Sequence, residues 1–234
     1  AIPMDLLPTA DEVLNESWYM VPWHLNREQM RAVKIMGRRQ GLFPILVSNF
    51  GCGPDAFAAK HLDYLLADRP RLFLEFDEHR GEAGLVTRLE AFADEISEYR
   101  RAGRHVHLLP HIPRPDFIRE HREGPRRRCF VPNVYGYAHV FGGGLRAVGH
   151  EVVVLPKPDD ESARLGEEHS SGRECHPYTL IAGELVRLIR DRGLGPRDVF
   201  FVPGTRIPCL MPQYADGFRL LADKLGGETR VWDP

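Results

Sequence analysis

Short apolar runs alternate with longer amphipathic stretches along the chain, and this alternation constrains the fold more than any single residue. Phe43 to Val47, Arg71 to Phe76, Cys129 to Val131, Glu151 to Leu155 and Val199 to Val202 have the length and residue types of buried strands. Asp55 to Leu66, Leu85 to Arg101, Tyr137 to Val148, Pro177 to Arg190 and Gln213 to Leu225 have helical patterning. A further helix, Arg27 to Arg39, precedes the first strand, with Met30, Val33, Ile35 and Met36 at its apolar positions. Parallel strands require a crossover between them, usually a helix. The pattern therefore predicts an α/β fold, with parallel sheets flanked by helices on both faces. Proline and charge dominate Pro110 to Arg128, which places a linker there. The chain then divides into two small doubly wound lobes, 1–125 and 126–234.

Composition narrows the function classes. Apolar residues make up 43% of the 234 and charged residues 27%, the balance of a globular protein with a sizeable core. The net charge of −2 argues against a broad nucleic-acid or membrane surface. Arg126-Arg127-Arg128, near Arg119 and Arg122, is the local exception, and a solvated linker outweighs a phosphate site there. No stretch approaches the roughly 18 apolar residues of a membrane span. A basic-then-apolar signal pattern is absent too. The start at Ala1-Ile2-Pro3-Met4 fits a processed chain or a piece of a longer one. Four cysteines are too few and too scattered for a disulfide scaffold. Reduced thiols in the cytoplasm are expected.

Three of those cysteines share a setting. Cys52 lies in Gly51-Cys52-Gly53-Pro54, Cys175 in Glu174-Cys175-His176-Pro177, and Cys209 in Pro208-Cys209-Leu210-Met211-Pro212. Each is followed by a proline and then a helical pattern, and proline is favoured in a helix's first turn. The thiols are thus expected near helix N-termini, where the dipole and free N–H groups favour a thiolate. Ligands of open α/β sheets bind at the strands' carboxyl ends. Three thiolates converging there would suit a metal or an iron–sulfur cluster. A single cysteine is more often a small buried hydrophobe, and that reading holds for Cys129, inside a strand. No CxxC pair is present, so spacing alone does not name a metal.

Ser48-Asn49-Phe50-Gly51-Cys52-Gly53-Pro54-Asp55 and Thr87-Arg88-Leu89-Glu90-Ala91-Phe92 resemble segments of the 2-hydroxyacyl-CoA dehydratase and benzoyl-CoA reductase superfamily. The closest likeness is to the dehydratase-like region of long acyl-CoA dehydratase activase-related proteins. Glu75-Phe76-Asp77-Glu78-His79, Ser171-Gly172-Arg173-Glu174-Cys175-His176-Pro177, and Pro208-Cys209 with Gln213-Tyr214 fit the same pattern. The likeness runs in order from Met4-Asp5-Leu6-Leu7-Pro8 to the last helix.

The resemblance implies a [4Fe–4S] cluster held by Cys52, Cys175 and Cys209, with one iron lacking a cysteine. Such a site passes single low-potential electrons and, in true dehydratases, meets the substrate's thioester carbonyl. The implied partners are an ATP-dependent activase domain or subunit and an acyl-CoA thioester. Ser48 and Asn49 are candidate donors to the cluster sulfides, and Gly51 and Gly53 would let backbone approach it. Asp77 and His79, closing a strand on the sheet edge of Cys52, are candidates for proton transfer. Helix capping and loop hydrogen bonds are the equal alternative for both.

His176 is a candidate fourth ligand or a supporting donor, or simply solvated. His105, His107 and His111 read as a polar loop among prolines. Two departures from the pattern stand out: Ile207 and Leu210 flank the Pro208-Cys209 pair where glycine and arginine are expected. There is also no GxxxxGK[ST] motif, and Phe141-Gly142-Gly143-Gly144 lies within a helical pattern, so ATP hydrolysis by this chain is not expected. The rival readings are a non-catalytic scaffold that keeps the fold without the substrate site, and a three-cysteine zinc hydrolase.

Overall fold

A computed structural model describes residues 1–14, 21–66, 69–77, 81–104, 119, 123–133, 136–204, 209–226 and 230–233. Trp18, Tyr19, Glu78, His79, His105, His107, His111, Arg122, Ile207, Pro208 and most of the expected linker lie outside them. The fold is α/β, with two parallel sheets, and the chain divides into two compact units, Ala1–His111 and Ile112–Pro234. No described helix is long and apolar enough to cross a membrane.

The first unit runs α1 (His24–Arg38), β1 (Ile45–Asn49), α2 (Gly53–Leu66), β2 (Leu72–Phe76) and α3 (Glu82–Arg101). On α1, Asn26, Gln29, Met30 and Val33 recur at helical spacing and are buried; of the expected apolar positions Met30, Val33 and Ile35 are buried and Met36 is half-buried. Arg69 closes this helix: its guanidinium donates to the carbonyls of Met36 (2.7 Å) and Arg39. A cation is well placed against the carbonyls that a helix leaves unbonded at its C-terminus.

β1 and β2 pair in parallel, with Ile45 opposite Leu72 and Asn49 opposite Phe76. Leu46 and Ser48 point inward, whereas Ile45 and Val47 are 40% and 58% exposed. On the face that Ile45 and Val47 share, Leu74 of β2, in register with Val47, is buried, so that face is covered at β2 and exposed at β1. α3 buries only Phe92 and Tyr99, the latter edge-on to Phe43 with ring centroids 5.7 Å apart.

The second unit runs β3 (Arg128–Val131), α4 (Ala138–Ala147), β4 (Glu151–Val154), α5 (Asp160–Glu168), α6 (His176–Arg192), β5 (Asp198–Phe201), α7 (Tyr214–Lys224) and β6 (Arg230–Trp232). Its sheet is parallel, in the order β4-β3-β5-β6. From β3 the chain moves outward to β4 and returns to the other side of β3, so β3 and β5 flank a topological switch point. One face of the sheet packs Cys129, Val131, Val199, Phe201 and Trp232 against Ala138 and Leu145 of α4. On the other face, Phe200 meets Phe218 of α7 edge-on at 5.8 Å. Phe130, Phe200, Phe218 and Trp232 are fully buried, and each contributes about 1.5–3 kcal/mol.

The glycine run falls inside α4, as its helical pattern predicts. A Cβ on Gly142 would lie 3.1 Å from Val154 Cγ2 and 3.3 Å from Val152 Cγ1, so the helix rides close on β4. α5 and α6 are closer still. Cβ atoms on Gly166 and Gly183 would fall 1.9 Å from Thr179 O and 1.8 Å from Ser162 O.

Candidate functional site

Cys52 sits at the turn from β1 into α2. Its N–H donates to Asn49 O (3.0 Å), and its own carbonyl accepts from Ala56 N (3.0 Å), which makes it the residue that caps the helix. Gly51 reaches φ +72° in this turn, a conformation that a side chain disfavours. The thiol is half-buried. Behind it, Asp55 accepts from Ser48 Oγ at 2.5 Å and from Asn26 Nδ2 at 2.9 Å. The side chain of Ser48 is thus buried and bonded within the first turn of α2, while Asn49 is exposed beside it. Gly53 is the first residue of α2. Asp77 is exposed just past β2. Because β1 and β2 run in parallel register, Cys52 and Asp77 both follow carboxyl ends on one sheet edge.

Cys175 caps α6 in the same way. Its carbonyl accepts from Tyr178 N (2.9 Å) and Thr179 N (3.3 Å), and Pro177 stands in the first helical turn. The loop before it is closed by Glu174, whose carboxylate accepts from Ser171 N (3.0 Å) and Ser171 Oγ (2.9 Å). The half-buried thiol lies 2.7 Å from the hydroxyl of Tyr214. An aromatic cluster holds that hydroxyl in place: Tyr178 stacks on Phe218 at 4.8 Å and meets Tyr214 edge-on at 5.3 Å. Burial pushes the Tyr178 phenol well above its ordinary pKa, so the ring stays neutral.

Cys209 differs. It is exposed and precedes a short 3-10 turn, Met211–Gln213, that leads into α7, so it does not cap a helix directly. Tyr214, the first residue of α7, nonetheless joins this segment to the Cys175 loop. That contact is the feature the spacing of cysteines could not supply. Cys129 is fully buried in β3, and burial pushes its thiol up to about 12, as befits a core residue.

All four cysteines are free thiols. Among the described residues of either unit, no three His, Cys, Asp or Glu side chains gather closely enough to hold a metal ion. The donor chemistry still suits iron–sulfur ligation at two positions, since Cys52 and Cys175 are accessible thiols at helix N-termini.

A cavity of about 550 Å³ opens at the carboxyl ends of β3 and β4, beside the α6 N-terminus that carries Cys175. Pro177, Leu180 and Ile181 give it an apolar wall, and Lys157, His176 and Asn133 supply its polar groups. Asn133 Oδ1 is shielded from water and makes no hydrogen bond among the described residues. The Pro156-Lys157-Pro158 segment just after β4 carries no local sign of lining a site. Its closeness to α6 depends on the sheet order.

No protein-family model, no curated protein and no solved structure matches the chain.

Proposed function

We propose that this protein is a [4Fe–4S]-binding redox module related to 2-hydroxyacyl-CoA dehydratase and its activase, acting in the cytoplasm. Cys52, Cys175 and Cys209 are the residues that would hold the cluster. The observation that carries the reading is Cys175: a half-buried thiol capping a long helix, with the Tyr214 hydroxyl at 2.7 Å. The helix N-terminus favours its thiolate, and the phenol supplies a hydrogen bond to sulfur. When bound, the cluster supplies single low-potential electrons and a Lewis-acidic iron. An ATP-driven activase domain or subunit is the electron donor.

The neighbouring cavity fits the acyl end of a CoA thioester. Leu180 and Ile181 receive the chain and exclude water, while Lys157 and Asn133 orient polar atoms. Asp77 would hold or move a proton on the Cys52 edge, with His79 as the further candidate there.

Anaerobic expression followed by iron and acid-labile sulfide analysis tests the reading. A brown protein with stoichiometric iron, lost in Cys52→Ala and Cys175→Ala, is expected. Colourless, iron-free protein that is unchanged by either substitution overturns it.

The exposed, uncapped position of Cys209 favours a second reading, an interaction domain that keeps the fold without substrate chemistry. Failure of cluster-loaded protein to bind any acyl-CoA would select it.

A further inference from the structure

A second cavity, of about 570 Å³, lies at the opposite, amino-terminal edge of the four-stranded sheet. Arg126, Arg127 and Arg128 enter β3 along it, Glu151 opens β4, and Arg197 with Asp198 opens β5. The sequence alone favoured a solvated linker for the arginine run. The sheet register instead gathers four guanidiniums around one opening, against two carboxylates, in a chain of net charge −2.

Two of the four arginines build the frame. Arg128 makes a forked pair with Asp198, Nε to Oδ1 and Nη2 to Oδ2, both at 2.7 Å. Arg127 is buried, its N–H bonds His150 Nδ1 at 3.1 Å, and its Nη1 donates to Pro196 O at 2.7 Å. Asp198 also accepts from Gly195 N at 2.8 Å, so its charge is already satisfied within the wall.

The other two arginines stand differently. Arg126 and Arg197 are exposed, and neither guanidinium makes a hydrogen bond or ion pair among the described residues. The Arg126 guanidinium lies close over Gly149: a Cβ there would be 3.0 Å from Arg126 Nε. A guanidinium presents a planar fork of donors that matches phosphate oxygens two at a time. Two such forks over a cavity of small-molecule size match a ligand with two linked phosphates.

We infer that this cleft binds a diphosphate-bearing small molecule, with Arg126 and Arg197 as its anion-binding residues and Arg127 and Arg128 as the rigid wall. The inference stands apart from the iron–sulfur reading, because it uses the other end of the sheet.

Isothermal titration of the whole chain with inorganic pyrophosphate, inorganic phosphate and ADP tests it. Saturable pyrophosphate binding is expected, weaker for phosphate, falling with salt, and reduced about ten-fold or more in Arg126→Gln and in Arg197→Gln. Arg164→Gln, on the exposed surface of α5, should leave it unchanged. Equal affinity for pyrophosphate and ADP assigns the bare diphosphate, and tighter ADP assigns a nucleotide. Absence of saturable pyrophosphate binding overturns the inference, as does binding that both substitutions leave intact. So does an oligonucleotide that binds through these arginines and that pyrophosphate fails to displace.

Discussion

Cys52 and Cys175 occupy the same local position, each capping a helix at a loop, yet the two corners are supported differently. At Cys52 the support is local and polar. Gly51 turns the backbone, and Asp55, inside the helix that follows, gathers Ser48 and Asn26. At Cys175 the support is tertiary and largely apolar. Tyr178, Tyr214 and Phe218 stack behind the thiol, and α5 clamps the helix through glycine contacts. The sheets differ likewise: two strands in the first unit, with Ile45 and Val47 of β1 exposed, and four strands with both faces packed in the second. A two-stranded sheet is marginal by itself. The first corner therefore depends on its hydrogen bonds, and the second on packing.

Gly183→Ala should break the second corner most severely. The new methyl would overlap Ser162 O and force α5 away from α6, at a cost of about 3 kcal/mol. Urea denaturation reads this directly, and an unchanged midpoint would show that the helix pair is not the clamp.

Asp55→Ala is the matching blow to the first corner. It removes one hydrogen bond from each of Asn26 and Ser48, both buried, leaving them Gln29 and Asn49 O as partners, and should cost about 2 kcal/mol. Alkylation of Cys52 should accelerate while that of Cys175 does not; acceleration at both would erase the contrast.

Tyr214→Phe is milder. It removes one hydroxyl and should cost about 1 kcal/mol, with the aromatic stack intact. Mass-spectrometric mapping of labelled thiols should show faster modification at Cys175 only. Cys129, buried in the core, should stay unlabelled until the protein unfolds.

The smallest effect concerns acid. Hydrogen bonds from the Arg128 guanidinium hold the Asp198 carboxyl below its usual pKa. Unfolded chains then bind more protons than folded ones in acid, so this pair's contribution is complete above about pH 3.9 and fades as pH falls further. Arg128 is 43% exposed, which limits the contribution to under about 1 kcal/mol. In Asp198→Asn the stability curve should lack that part of the acid slope.

Elements with strong local signals were legible in the sequence. The helical stripe of α1 and the continuous apolar run of β5 needed only periodicity and residue type. Two elements escaped. β6 is three residues long, too short for any periodicity, and takes its place by pairing with β5. α5 is polar and buries small groups, Ser162 and Gly166, alongside Leu165, so it shows no broad apolar face. Its Asp159–Ser162 capping box was the available sign. At the site, the loop settings of Cys52 and Cys175 could be read locally, because proline, glycine and a following helix fix a cap. The uncapped position of Cys209 could not, since a 3-10 turn intervenes.

By itself, then, the sequence determined that strands and helices alternate, that the sheets are parallel, and that two thiols stand at helix starts. These follow from short-range preferences and from the crossover that parallel strands require. The tertiary structure alone decided that Tyr214 meets Cys175, that Lys157 and Asn133 share a cavity with the start of α6, and that Arg126 and Arg197 face one cleft. Those meetings depend on strand order and register, which are set by burial of the whole core and leave no mark at any one position.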